Sequence, residues 1–317
     1  MTTNSALRTP HSALKELPPL MPQFLQKRRA GIAAPRVISE QLGIEIPLLF
    51  TLLQINITQG SYGGRPLTSA ELRSRTRHLY STRDHLSAPI AVLKEKGLLQ
   101  EDAEGCITLT PQAVEAVEAV HTAGKAHVAN LQPLPSNELE ALTHQFERAV
   151  EAVLNDPVLS PRPGSHLAGS LSLHTSGPDA PMMVRLEQAI YDLWLARDDA
   201  HIKAWRDADM EGPPMQMLTV LWLGEASTVS GLTELLHENQ APEDVENSLA
   251  YLFDKDYVER DGDDLKQTPA GVLAREDIER DTDLVYFASW PHTPEEAEWM
   301  RDKLRELIDN IPAAGSR

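Results

Sequence analysis

The feature that most constrains this 317-residue chain is an internal repeat. Residues 93–113 read L-K-E-K-G-L-L, a polar turn, then I-T-L-T-P-Q-A. Residues 252–271 read L-F-D-K-D-Y-V, a polar turn, then L-K-Q-T-P-A-G. Leu93 and Lys96 align with Leu252 and Lys255, Leu98-Leu99 with Tyr257-Val258, and Asp102 with Asp261. After a one-residue difference in the turn, Thr110-Pro111 align with Thr268-Pro269 and Ala113 with Gly271. A repeat of this length is an architectural signal, to be weighed before any single motif.

The elements predicted around the two copies follow one order: an apolar helix, a capped helix, a third helix, a hairpin, and a helix opened by Thr-Pro. In the first half, the run from Ile46 to Thr58 has the β-branched content of a strand but the length of a buried helix. A glycine-rich loop follows at 60–66. Thr68 with Glu71 makes a capping-box pattern. Ser87 caps the third helix, Pro89 fits its first turn, and Gly97 stops it. In the second half, helices are expected over 213–224, from a cap at Thr228 or Ser230, and over 241–256. A hairpin with Asp-Gly at its turn comes next. Three helices and a two-stranded hairpin make a winged helix, so the fold class expected is mainly α with small β-hairpins as wings. Two winged units stand in tandem, with long helices at 12–32, 136–155, 182–205 and 293–310. The division expected is a flexible tail at 1–11, a first winged domain at 12–156, a Pro/Gly/Ser-rich linker at 157–181 and a second winged domain at 182–312.

The third-helix and wing segments quoted above resemble those of MarR-type helix-turn-helix regulators, over roughly 46–124 and 215–280. The resemblance implies repression or activation of transcription from a dimer, often in response to a small molecule. It also marks a departure, because MarR-type chains usually carry one such unit and here there are two.

Charge separates the copies. Across 71–96 six bases (Arg73, Arg75, Arg77, Arg83, Lys94, Lys96) face three acids (Glu71, Asp84, Glu95), a balance of +3 in a chain of −18. His78 and His85 add donors. Across 228–256 the one base, Lys255, faces seven acids, a balance of −6. DNA is held by cations, so the first unit is expected to be the DNA reader. Its candidate contacts are Arg73, Arg75, Arg77, His78, Arg83, His85 and Lys94, with Lys27, Arg28 and Arg29 as added phosphate contacts. The acidic second unit is expected to serve pairing or a protein partner. Two observations oppose DNA contact. An arginine run on an exposed helix is often simply solvated, and the first wing's tip, Q-E-D-A-E-G, carries no base.

Other chemistries find little support. Cys106 is the only cysteine, which excludes a disulfide framework and fits a reducing cytoplasm. No run approaches the ~18 apolar residues of a membrane span, and the N-terminus lacks the apolar core of a secretory signal. The histidines show no metal-ligand spacing, the glycine loops are not phosphate loops, and the carboxylate pairs lie on polar faces. Neither cofactor, metal nor catalysis is expected. All five tryptophans lie beyond residue 190, as core, interface or the lining of a pocket. Two functions remain: a cytoplasmic, dimeric transcription regulator paired through the helices at 12–32, 136–155 and 293–310, or a tandem winged-helix interaction scaffold like those of chromosome-condensing complexes, without sequence-specific DNA binding.

Overall fold

The computed structural model describes residues 12–76, 80–173 and 176–312, and the side chains of 74–76 fall outside that description, as does the expected tail at 1–11. Over the described residues the chain is mainly helical, with two small antiparallel sheets. It begins with α1 (Ser12–Lys15) and α2 (Leu20–Lys27) rather than one helix over 12–32. Pro18 and Pro19 part them, since proline has no N–H to give to a helix interior. An unexpected α3 (Ala34–Leu42) follows, closed by Gly43 at φ 62°.

The first winged unit comprises α4 (Ile46–Ser61), β1 (Leu67–Thr68), α5 (Ser69–Thr76), α6 (Ser87–Glu95), β2 (Leu99–Glu101), β3 (Cys106–Leu109) and α7 (Pro111–Ala129). Its sheet runs β1-β3-β2. Then come α8 (Ser136–Leu154), α9 (His166–Leu173) and α10 (Met182–Asp207). The second unit comprises α11 (Gly212–Leu223), α12 (Val229–Leu236), α13 (Pro242–Asp254), β4 (Val258–Asp261), β5 (Asp264–Gln267) and α14 (Pro269–Tyr286), and α15 (Pro294–Asn310) closes the chain. In place of β1, the second unit has a single bridge between Thr228 and Asp264.

The aligned residues do the same work in both units. Leu98 N–H donates to Leu93 O at 2.9 Å, and Tyr257 N–H to Leu252 O at 2.9 Å. Thr110 N–H donates to Leu98 O at 3.1 Å, and Thr268 N–H to Tyr257 O at 3.1 Å. Thr110 and Thr268 each accept the N–H of the residue three further on, capping α7 and α14. Gly97 and Asp256, which follow α6 and α13, both have positive φ (69° and 58°).

Among the described residues there are three apolar cores. Each winged unit has its own, the second extended by Ala204 and Trp205 of α10. The third, central core joins α1, α2, α8, α10 and α15 with Tyr286, Phe287 and Trp290. The helices expected as a pairing surface between chains therefore pack on one another within the chain. The stretch expected as a linker holds α9, whose Leu167, Gly169 and Ser170 are buried, and α9 packs on α4 and α10. At Gly60 a β-carbon would come within 2.0 Å of Ser172 Oγ, so α4 and α9 approach as closely as they do because of that glycine.

Candidate nucleic-acid interface

In a helix-turn-helix, the third helix of the unit is presented to the groove, and its first residues contact base edges. In the first unit that helix is α6. Its exposed residues are Ser87, Ala88, Ala91, Val92, Lys94 and Glu95, a small and weakly charged surface. Its N-terminus is held by Asp84, not by the expected Ser87. Asp84 Oδ1 accepts the N–H of Leu86 at 3.1 Å and of Ser87 at 3.0 Å, and Oδ2 accepts the Ser87 hydroxyl. These bonds, foremost the Ser87 hydroxyl, lower the Asp84 carboxyl to about 2.

The candidate contacts fall into three groups. Arg73 is 43% exposed on α5, donates to Ser87 Oγ at 2.8 Å and lies 3.4 Å from Asp84. Arg83 and His85 are exposed in the turn between α5 and α6. His85 Nε2 is 2.8 Å from Ser81 Oγ. Lys94 pairs with Glu101 of the wing. Arg73, Arg83, His85 and Lys94 thus cluster around α6 and the turn that leads to it. The Arg75 side chain, Arg77 and His78 lie outside the described residues. Lys27, Arg28 and Arg29 form the third group, and the structure uses them internally rather than as phosphate contacts. Lys27 Nζ donates to Ile308 O at 2.6 Å, at the end of α15. Arg28 and Arg29 both pair with Glu187 of α10, whose side chain is 6% exposed. Burying that carboxylate requires cations beside it, and Arg28 and Arg29 supply them.

In the second unit, α13 exposes Glu243, Glu246, Asn247 and Asp254. This acidic face would repel phosphate. Its first turn is also occupied. The carbonyl of Asn239, in the turn between α12 and α13, accepts Ser81 Oγ–H at 2.7 Å, Thr82 N–H at 2.9 Å and Arg83 N–H at 3.1 Å. Thr82 Oγ1 donates to Asp244 Oδ2 of α13 at 2.5 Å. Gln240 Nε2 donates to Tyr80 O at 3.3 Å, and the Tyr80 side chain packs against the second unit's core. The turn that leads to α6 and the turn that leads to α13 are therefore bonded to each other. Nothing in the composition of 80–86 or 237–241 signals this, because the shared acceptor is the Asn239 carbonyl, a group every residue carries.

Among the described residues no single helix is long and apolar enough to cross a membrane, and no group of three or more His, Cys, Asp or Glu is placed to hold a metal ion. Burial raises the Cys106 thiol, with Asp102 adding to the effect. Tryptophan side chains are core rather than pocket where buried: Trp290 stacks edge-on with Tyr286 and Phe287, and Trp205 joins the second unit's core.

Residues 168–316 match the model of a helix-turn-helix family. The match spans α10 to α15 and contains the whole second unit, so a helix-turn-helix domain stands there, in the half with the acidic third helix. No curated protein and no solved structure matches the chain.

Proposed function

We propose that the chain is a DNA-binding transcription regulator in which the first winged unit meets DNA and the second, acidic unit pairs chains or holds a protein partner. The observation that carries this reading is the shared element order of the two units with opposite charge: similar hydrogen bonds at aligned residues, +3 across 71–96 and −6 across 228–256. The helix-turn-helix match supports DNA binding as the general activity. The MarR-type resemblance adds regulation from a homodimer in the cytoplasm, with no enzymatic step. Double-stranded DNA would be gripped by Arg73, Arg83, His85 and Lys94, with Arg75, Arg77 and His78 on the neighbouring segment. Fluorescence anisotropy on labelled genomic fragments tests it. Removing one cation from a phosphate should reduce the salt-dependence slope by about one. The Arg73→Ala/Arg75→Ala/Arg77→Ala variant should therefore bind more weakly and with a flatter salt response. Binding that the triple substitution leaves unchanged would overturn the site.

The scaffold reading draws on two observations: Arg73 and Lys94 already face carboxylates, Asp84 and Glu101, and the start of α13 is covered by Thr82. If no fragment binds above non-specific affinity while a pull-down from the native host returns a stoichiometric protein complex, the scaffold is the better description.

A further inference from the structure

Where the first winged unit meets the central body there is a cavity of about 240 Å³. Phe50, Leu53 and Ile57 of α4 form one apolar wall, and Val184 of α10 and Leu173 of α9 form the other. Its polar end is cationic. Arg28, Arg29 and Lys125 line it against a single carboxylate, Glu187. Three bases and one acid leave an excess of two positive charges in a chain whose net charge is −18.

Glu187 does not use up this end. One oxygen, Oε1, accepts the Nε–H of both arginines, Arg29 at 2.7 Å, whereas each guanidinium has five N–H donors in a fork that suits a second carboxylate. The fork of Arg29 lies close against α7. A β-carbon at Gly124, in the middle of that helix, would lie 3.0 Å from Arg29 Cζ and Nη1. Two further polar atoms on the cavity wall are buried and have no hydrogen-bond partner, Ser176 Oγ and Gln188 Oε1. Gln188 is not free to turn away, because its Nε2 donates to Asp192 at 2.7 Å. A buried acceptor with no donor is costly unless something that occupies the site supplies one.

We infer that this cavity is a binding site for a small organic anion with an apolar body, a carboxylate seated on Arg28 and Arg29, and a hydroxyl or amide donor that reaches Gln188 Oε1. The apolar walls exclude a bare inorganic anion as the best-fitting occupant, and the excess of positive charge excludes a neutral one. The site stands on these residues whether or not the first unit binds DNA. Its walls come from α4 and α7 of that unit and from α9 and α10 outside it, so an occupant bridges the winged unit to the body.

The test is isothermal titration and thermal melting of the full chain with 4-hydroxyphenylacetate, octanoate, 4-hydroxyphenylacetamide and inorganic phosphate. At least one carboxylate should bind and raise the melting temperature as its concentration rises. The amide and phosphate should bind about tenfold more weakly or worse, since they lack the charge or the apolar body. Arg29→Gln should cost about tenfold in affinity by removing one fork of the pair. Ser176→Leu, which fills space without disturbing the ion pairs, should abolish binding in a protein whose circular dichroism is unchanged. The inference fails if no carboxylate binds at millimolar concentration, if the amide or phosphate binds as tightly, or if Ser176→Leu binds normally.

Discussion

Asp192 is 3% exposed on α10, and it accepts hydrogen bonds from the Ser170 hydroxyl and from Gln188 Nε2. Burial raises its carboxyl from 3.8 to about 6, against the pull of both donors. A carboxyl whose folded value is raised gives stability that is complete below its unfolded value and is lost as pH rises through the folded one. At pH 7.5 Asp192→Asn should therefore melt higher than the wild type, by up to about 3 kcal/mol in stability at 1.36 kcal/mol per unit, and the advantage should vanish near pH 4. His201 behaves in the opposite sense. Burial lowers it from 6.5 to about 4, with Arg275 and Arg197 adding to the effect and Glu279 opposing it. Its contribution is present above pH 6.5 and is lost as pH falls towards 4, so His201→Gln should flatten the acid side of a plot of melting temperature against pH. A melting temperature of Asp192→Asn equal to that of the wild type at pH 7.5 would show that the carboxyl is not held in a dry site.

At the scale of elements, the two helices opened by Thr-Pro differ in one respect. Ala113, in the first turn of α7, has room for its β-carbon and is buried, but at Gly271 a β-carbon would fall 2.0 Å from the Tyr257 carbonyl oxygen. Gly271→Ala should therefore destabilise the second unit by about 1–3 kcal/mol, the usual range for overpacking, despite the better helix propensity of alanine. Ala113→Gly should cost about 1–2 kcal/mol, from helix propensity and the loss of one buried methyl. Chemical denaturation of the two variants checks both values. Asp84→Ala should loosen α6 by about 1 kcal/mol, the typical worth of an N-cap, and speed amide exchange over 86–90. Local chemistry explains which elements the sequence discloses. Thr68 with Glu71 and Thr293 with Glu296 form reciprocal boxes, and Thr110 and Thr268 cap their helices, because a cap depends only on residues three apart. Ser87 reads as a cap in sequence, but Asp84 competes for the same N–H groups from an earlier position. The sequence hides α9 because its eight residues sit among prolines, glycines and serines, and tertiary packing on α4 and α10 makes it helical. The Lys27-Arg28-Arg29 triplet reads as a surface cluster because sequence gives the sign of a charge but not the side of the helix that meets a buried partner. Glu187, one residue beyond Leu186 on the buried face of α10, is the one clue to that partner.

The whole molecule is a central helical body that carries two winged units, with the turns that lead to α6 and α13 bonded through Ser81, Thr82, Asn239 and Asp244. This arrangement makes the units mechanically dependent. Asp244→Ala removes the acceptor of the Thr82 hydroxyl while leaving the Asn239 carbonyl in place, so amide exchange at Thr82 and Arg83 should rise several-fold without a change in the central core. Sequence alone does not disclose this junction, since its main acceptor is the Asn239 carbonyl, 158 residues from Ser81. By contrast, the shared element order of the two units and their opposite charges are readable, because they rest on pattern and composition. The most direct measurement is hydrogen exchange by mass spectrometry on the chain with and without a DNA fragment that it retains. Protection over 71–96, with α13 unprotected, is the result predicted for a first unit that meets DNA and a second that does not. Protection confined to 229–254, or no change in either unit on a fragment that binds, would contradict it.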